Sequence, residues 1–316
     1  MRLFLVTAAL AGALFSTAAP AQTELKIMAP AGPGGGWDQT ARAMQQALIS
    51  SGISKSVQVF NVTGAGGSVG LAQLINSKGE GRLLMVNGLV MVGALLTNKS
   101  AVRLDQATPI ARLTEEVEVI VVPAASPIKN AADLAAAVKV DPAKVTWTGG
   151  SAGGVDHITA ALFAQAVGAD SSKINYIAFS GGGESLAAVL GGRVTAGISG
   201  YGEYEGQIKS GRLRLIGVTS DKRLGGIDGP TFKEQGIDLV ISNWRSVFAP
   251  PGLSLQQRED LIALVEKMAN SPAWKEILKQ KGWDDSLMTG EAFTAFLKSE
   301  QERVTAVLKS AGLVKQ

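Results

Sequence analysis

Cysteine is absent from all 316 residues, and histidine occurs once, at His157. Without a thiol there is no disulfide framework and no thiolate nucleophile. With a single imidazole as well, no zinc or iron centre can be assembled in the usual way. No Gly-Lys dipeptide occurs, which removes the Walker phosphate loop. Gly64 and Gly66 begin a G-x-G-x-x-G, but its closing position is Val69. Aromatics make up only 5% of the chain against 46% apolar residues, so the core must come from Ala, Val, Leu and Ile. An excess of one charge is lacking too. The 30 basic and 27 acidic residues give too slight a bias to argue for nucleic acid or a membrane surface. Beyond the N-terminus, no apolar run nears the roughly 20 residues of a spanning helix.

What is present begins with an export signal. Arg2 supplies a positive n-region and residues 3–15 an apolar stretch too short to span a membrane. Ala19-Pro20-Ala21 then reads as a cleavage site, leaving Gln22 first in the mature protein. Losing Arg2 leaves 29 basic residues against 27 acidic. With no cysteine at the junction there is no lipid attachment, so the expectation is a free periplasmic protein.

The length is enough for two compact domains. Apolar strand-like runs alternate with helical ones, the sign of an α/β fold with helices on a parallel sheet. The first block has strands near 25–28, 57–62 and 83–86, with helices over 39–49 and 69–76. A buried strand at 117–122, apolar or β-branched except for Glu118, leads out to Pro123. The second block has a helix at 131–138 and strands at 145–148, 175–178, 194–198 and 213–219. From Ser254 the chain reads as wholly helical: 254–270, 272–281 and 290–311. Ser254 is the expected N-cap of the first, Pro272 opens the second and Gly312 closes the third. A strand-free tail needs another sheet to pack on. Residues 22–123 and 246–316 are therefore expected to form one lobe and 124–245 a second, with crossings near Pro123 and Arg245. Two lobes with two crossings describe a hinged cleft.

Four glycine-rich loops stand at the predicted strand ends: 29–38, 63–68, 149–154 and 179–184. Such loops lead into helix N-termini, whose unpaired N–H groups and positive dipole end suit an anion. Two fall in each lobe, so closure brings donors onto a ligand from both sides. Ser68, Asn87 and Ser151 add polar side chains in or beside them. The rival is a set of unrelated tight turns.

An enzyme reading rests on Gly149-Gly150-Ser151-Ala152-Gly153, a literal G-x-S-x-G between a strand and a helix. A serine hydrolase also needs a histidine on a late, separate loop. The lone His157 lies within the helix that the elbow begins, so this alternative lacks its base.

Ala29-Pro30-Ala31-Gly32-Pro33-Gly34-Gly35-Gly36-Trp37-Asp38, Gly64-Ala65-Gly66-Gly67, Asn243-Trp244-Arg245 and Ala249-Pro250-Pro251-Gly252 together resemble the substrate-binding subunits of tripartite tricarboxylate transporters. The resemblance spans the mature chain. It implies the type II periplasmic binding protein fold, no enzymatic activity, and delivery of an organic carboxylate to a pair of membrane permease subunits. It further implies that the first loop and 149–154 grip a carboxylate. The Trp37 and Gly181-Gly182-Gly183-Glu184 variants look closest to the citrate-like branch, with a dicarboxylate as the other candidate. A stand-alone carboxylate sensor is the remaining alternative. No cofactor, metal or nucleic acid is expected, and the protein is expected to be a monomer.

The ligand-binding set expected on these grounds is Ala31, Gly34, Gly35, Trp37, Asp38, Gly66, Ser68, Asn87, Ser151, Ala152, Gly153, His157, Gly182, Gly183 and Arg245. One carboxylate would lie on the N–H groups of 34–37 and 151–153, while Arg245 pairs with a second. Asp38 either caps its helix or accepts from a ligand hydroxyl. His157 is either buried structure or a ligand contact. Trp37 is either a lid or inter-loop packing, and Arg245 either a site cation or half of a surface ion pair. Glu184 would repel an anion and is assigned to its own helix end.

Overall fold

The computed structural model describes residues 24–179 and 182–314. The expected signal segment and its cleavage site lie outside them, as do Ser180 and Gly181 of the fourth loop. In chain order the first elements are β1 (Leu25–Ala29), α1 (Gly36–Ser50), β2 (Val57–Asn61), α2 (Ser68–Asn76), β3 (Leu83–Gly88), α3 (Leu89–Thr97) and β4 (Thr108–Pro123). Next come α4 (Ala131–Val140), β5 (Thr146–Gly149), α5 (Val155–Ala166), β6 (Asn175–Ala178), α6 (Gly182–Leu190), β7 (Ala196–Gly200), α7 (Tyr201–Lys209) and β8 (Leu213–Val218). The chain ends with β9 (Ser242–Ala249), α8 (Leu255–Ala269), α9 (Pro272–Lys281), β10 (Asp284–Thr289) and α10 (Gly290–Ser310).

The strand order is β2-β1-β3-β9-β4-β7-β5-β6, with β8 and β10 also paired to β4. β2, β1 and β3 are parallel, as are β6, β5 and β7. Each parallel set is fed by helices, as the alternating pattern requires. β4 joins them. Its residues 108–117 pair antiparallel with β9, while 118–123 pair with β7 and β8. Register shifts near Pro109 and Leu113 bend the strand in its first half.

Several expectations change. The strand expected at 117–122 is only the second half of β4. The tail is not wholly helical, because β10 pairs antiparallel with β4 across residues 111–115. That strand ties the tail to the sheet of the first block, where packing of helices alone was expected. Two helices escaped the sequence reading. In α3, LVMVGALLT is apolar on every side and so shows no helical periodicity. In α7, YGEYEGQIK carries two glycines and has only Tyr204 buried. The expected end signals are in place: the Ser254 hydroxyl accepts from the amide of Gln257, Pro272 stands at the first position of α9, and Gly312 is left-handed; α9 is capped in addition by the Ser271 hydroxyl, which accepts from the amide of Trp274.

One hydrophobic core runs beneath both parallel sets, from Ile27, Leu84 and Trp244 to Trp147, Phe163 and Phe232. The helix α10 packs on α3 and on α5, and its end is tied to the second block where the Ser171 hydroxyl donates to the Ser310 carbonyl (3.1 Å). A smaller core sits under β8 and α7, around Val119, Val121, Val189 and Tyr204.

Candidate functional site

A cleft of about 1050 Å³ opens where the two parallel sets present their C-terminal strand ends. Its walls are the helix N-termini. The N-caps of α1, α2, α5 and α7 are Gly35, Gly67, Gly154 and Gly200, and all four line the cleft. None of these helices has a capping side chain. Elsewhere α4, α8 and α9 are capped by Asn130, Ser254 and Ser271, while α3 and α10, whose N-caps Gly88 and Thr289 do not line the cleft, are also without a capping side chain. First-turn N–H groups left without a side-chain acceptor are ready for one supplied by a ligand.

The first corner is built by Gly34 and Asp38. Gly34 sits in left-handed backbone (φ 82°) and donates its N–H to Asp38 Oδ2 at 2.8 Å. Asp38 also accepts from Arg42 Nε (2.9 Å) and Asn61 Nδ2 (2.9 Å). Burial pushes its carboxyl upward, but the bonds from Arg42, Gly34 and Asn61 outweigh it and hold the group below its ordinary range. Trp37 packs edge-on against Gly67, where a Cβ would come within 2.8 Å of the indole. It is therefore inter-loop packing whose rim also reaches the cleft.

The second corner is built by Gly149, Gly150 and Asp156. Asp156 accepts the Gly150 N–H, and a Cβ at Gly149 would strike its carboxyl. Burial raises the Asp156 carboxyl to about 7, with Glu203 and Glu116 adding to the rise. Behind it, burial and then the charge of Asp156 hold Glu118 well above its usual range.

Of the expected residues, Ala31, Gly34, Gly35, Trp37, Gly66, Ser151, Ala152, Gly183 and Arg245 line the cleft. The structure does not bring Asp38, Asn87, Ser68, Gly153 or His157 to it. Asp38 is consumed by its three partners. Asn87 is fully buried on β3, where its Oδ1 accepts from Ser246 (2.6 Å). Ser68 opens α2 beside Gly67 but is not part of the wall. Gly153 is turned to α3, because a Cβ on Gly93 would lie 1.9 Å from the Gly153 carbonyl. His157 is buried, accepts the Gly153 N–H at Nδ1 (3.2 Å) and stacks on Tyr176 at 4.1 Å. Burial lowers it to about 4, so it is neutral, and it makes no bond to Ser151. Gly182 is described only as the first residue of α6.

Arg245 is neither a free site cation nor a surface ion pair. It is buried on β9, bonded to Glu116, and lies over Trp283 at 4.8 Å. Its guanidinium also rests on the backbone of Gly36, where a Cβ would be 2.7 Å from Nη2. Sequence reasoning missed Val90, Ala94 and Asn98 on one wall, and Asp156 and Glu203 on another. One signal was available for the acids: Gly153-Gly154-Val155-Asp156 repeats the Gly-Gly-x-Asp of Gly35-Gly36-Trp37-Asp38.

Two parallel α/β sets facing across a cleft of helix ends define a solute-binding protein. A TctC solute-binding protein from Polaromonas is similar at 26% identity with a TM-score of 0.71, covering 90% of this chain and 98% of that one. MatC from Rhodopseudomonas palustris, solved with bound malate, shares the fold at 21% identity (TM-score 0.76; 91% and 99% covered). Another R. palustris protein, solved with adipate, shares it at 20% (TM-score 0.80; 92% and 98%). The chain belongs to the tripartite tricarboxylate transporter family of receptors, whose model matches residues 40–313. It is similar to the protein BugT of Bordetella pertussis, 26% identical over 316 residues (98% of this chain, 95% of that one). An Agrobacterium vitis protein encoded in the TAR-I ttuE-ttuC' intergenic region is 29% identical over 293 residues (90% and 84%). This is a receptor family and not an enzyme family. Among the described residues no helix is long and apolar enough to cross a membrane.

Proposed function

We propose that this protein is a periplasmic receptor that captures a small organic carboxylate in the cleft and hands it to membrane permease subunits of a tripartite transporter. The observation that carries this reading is the ring of four glycine-capped helix ends around one cavity. Fixed backbone donors hold a carboxylate with little ordering cost, and each charge-assisted bond is worth roughly 1.5–3 kcal/mol. The malate and adipate in the structural neighbours support the ligand class. Membership of the receptor family supports export and a permease partner.

A tricarboxylate such as citrate was the ligand expected from the sequence, with Arg245 taking a second carboxylate. Arg245 is instead neutralised by Glu116, so the reading is cast as one carboxylate held by backbone amides. The serine-hydrolase alternative has no base, since the only imidazole is tied to the Gly153 amide.

Thermal unfolding with malate, adipate or citrate tests the reading. A carboxylate present at 100 times its dissociation constant should raise the melting temperature by about 5 °C or more. Turnover of chromogenic esters that disappears in Ser151→Ala, with no carboxylate effect, would overturn it. Co-purification with detergent-solubilised permease subunits separates a transport receptor from a stand-alone sensor.

A further inference from the structure

The loops that open α1 and α5 are built alike when counted from their N-caps. Gly34 and Gly153 both sit in left-handed backbone, at φ 82° and 76°. The residues that follow, Gly35 and Gly154, are the extended N-caps. Each donates its N–H three residues back, to the carbonyls of Gly32 (3.1 Å) and Ser151 (2.9 Å). In both loops the N–H of the left-handed glycine is taken by a side chain four residues on, in the first turn of the helix. At α1 that side chain is Asp38 (2.8 Å), and at α5 it is His157, through Nδ1 (3.2 Å). An imidazole thus stands where the other corner has a carboxylate.

His157 can accept this N–H only as a neutral ring with its proton on Nε2, because a protonated Nδ1 has no lone pair to offer. Its surroundings keep it neutral. The ring is buried and stacks flat on Tyr176 (4.1 Å, 4°), and burial lowers it to about 4. The rest of the loop is equally committed. Gly150 donates its N–H to Asp156, and its carbonyl accepts from the Tyr176 hydroxyl (3.0 Å). Gly153 is hemmed in by α3, since a Cβ on it would lie 2.5 Å from Thr97. Between these ties the amides of Ser151 and Ala152 have no acceptor among the described residues, and both residues line the cleft.

We propose that His157 is the positioning residue of the second corner: its neutral imidazole accepts the Gly153 N–H and so holds the Ser151 and Ala152 amides in place for a ligand's carboxylate, without touching the ligand. This inference rests on the reading of the cleft as a carboxylate receptor. A peptide group turns as a rigid plane, so the Gly153 N–H and the Ala152 carbonyl move together. Without its acceptor the N–H would be left unpaired inside the protein, at a cost that favours rotating the plane until water reaches it. The Ser151 and Ala152 amides would then have to be ordered by the ligand itself, and binding weakens by that ordering cost. Asp38 does the same work at the first corner but needs Arg42 and Asn61 to hold its charge. The imidazole, being uncharged, needs no such shell.

Calorimetry with malate and adipate, beside thermal unfolding, separates the acceptor from the ring. His157→Phe keeps a ring on Tyr176 but removes the acceptor, and the tighter of the two acids should bind it about tenfold or more weaker. His157→Asn lacks the ring, but its Oδ1 takes the place of Nδ1. It should melt lower than His157→Phe and yet bind within about twofold of the unsubstituted protein. A ring needed only for packing predicts the reverse, with affinity kept in His157→Phe and lost in His157→Asn, and that result would overturn the assignment. So would equal weakening in both variants or none in either. Should His157→Phe fail to fold, His157→Asn decides alone: affinity kept supports the assignment, and a tenfold loss sinks it. If neither acid nor citrate binds the unsubstituted protein, the receptor reading has failed first and the assignment falls with it.

Discussion

The two corners of the cleft share a sequence pattern and differ in charge. Gly35-Gly36-Trp37-Asp38 and Gly153-Gly154-Val155-Asp156 both open a helix, and in both the aspartate accepts a backbone N–H from the preceding loop. At the first corner Arg42 and Asn61 complete the shell, and Asp38 is held below its usual range. At the second no cation arrives, Glu118 stands behind, and Asp156 is raised to about 7. The pattern thus sets backbone geometry, while residues brought in from other elements set the charge. One corner offers a ligand amides beside the Glu116-paired Arg245, and the other offers amides beside acids.

Breaking the first corner should have the largest effect. Gly35→Val puts a branched side chain at the N-cap, where even a Cβ would lie 3.2 Å from the Gly32 carbonyl. Losing two charge-assisted bonds there should weaken carboxylate binding by about 100-fold or more, measured by calorimetry on protein shown to be folded. Normal binding by a folded Gly35→Val would move the site away from this loop.

The second test sets the corners against each other through pH. Asp38 is lowered in the folded state, so its contribution is present above about 3.8 and is lost as pH falls through the folded value. Asp156 is raised from 3.8 to about 7, so its contribution is complete below 3.8 and is lost as pH rises through about 7. Asp38→Asn should therefore cost about 1–3 kcal/mol at neutral pH, because Arg42 and the Gly34 amide lose a charged partner. Asp156→Asn should flatten the decline in stability between pH 4 and 7, which for one proton is at most about 1.4 kcal/mol per pH unit. Urea unfolding at several pH values reads both, and slopes of the same sign in the two variants would erase the contrast.

The smallest expected effect is overall shape. If ligand bridges the two corners, small-angle scattering should show a slightly smaller radius of gyration at saturation. Superimposable profiles would mean the corners hold their spacing without help from the ligand.

Much of this was legible in the chain. The glycine loops fall at strand ends, and Ser254, Pro272 and Gly312 mark helix ends, because those signals are local. What failed was set by contact. β10, with the sequence DDSLMT, has no alternation of its own and is a strand because β4 pairs with it. α3 is hidden by being apolar all round. Arg245 was legible as a candidate site cation, but its partner Glu116 lies 129 residues away in sequence. Glu118 stood out as a charge in an apolar strand, yet its meeting with Asp156 needs the pairing of β4, β7 and β5.

Because β4 belongs to both sheets, no slack linker separates the cleft's two walls. Residues 108–117 and 118–123 are hydrogen-bonded on either side of the passage, and β9 runs alongside the first stretch. Relative motion of the walls must then be stored as torsion in a paired ribbon, like the winding of a spring. Torsion of this kind is elastic and needs no local unfolding. The receptor should therefore open and close quickly, through small angles, and return to one resting twist when the ligand leaves.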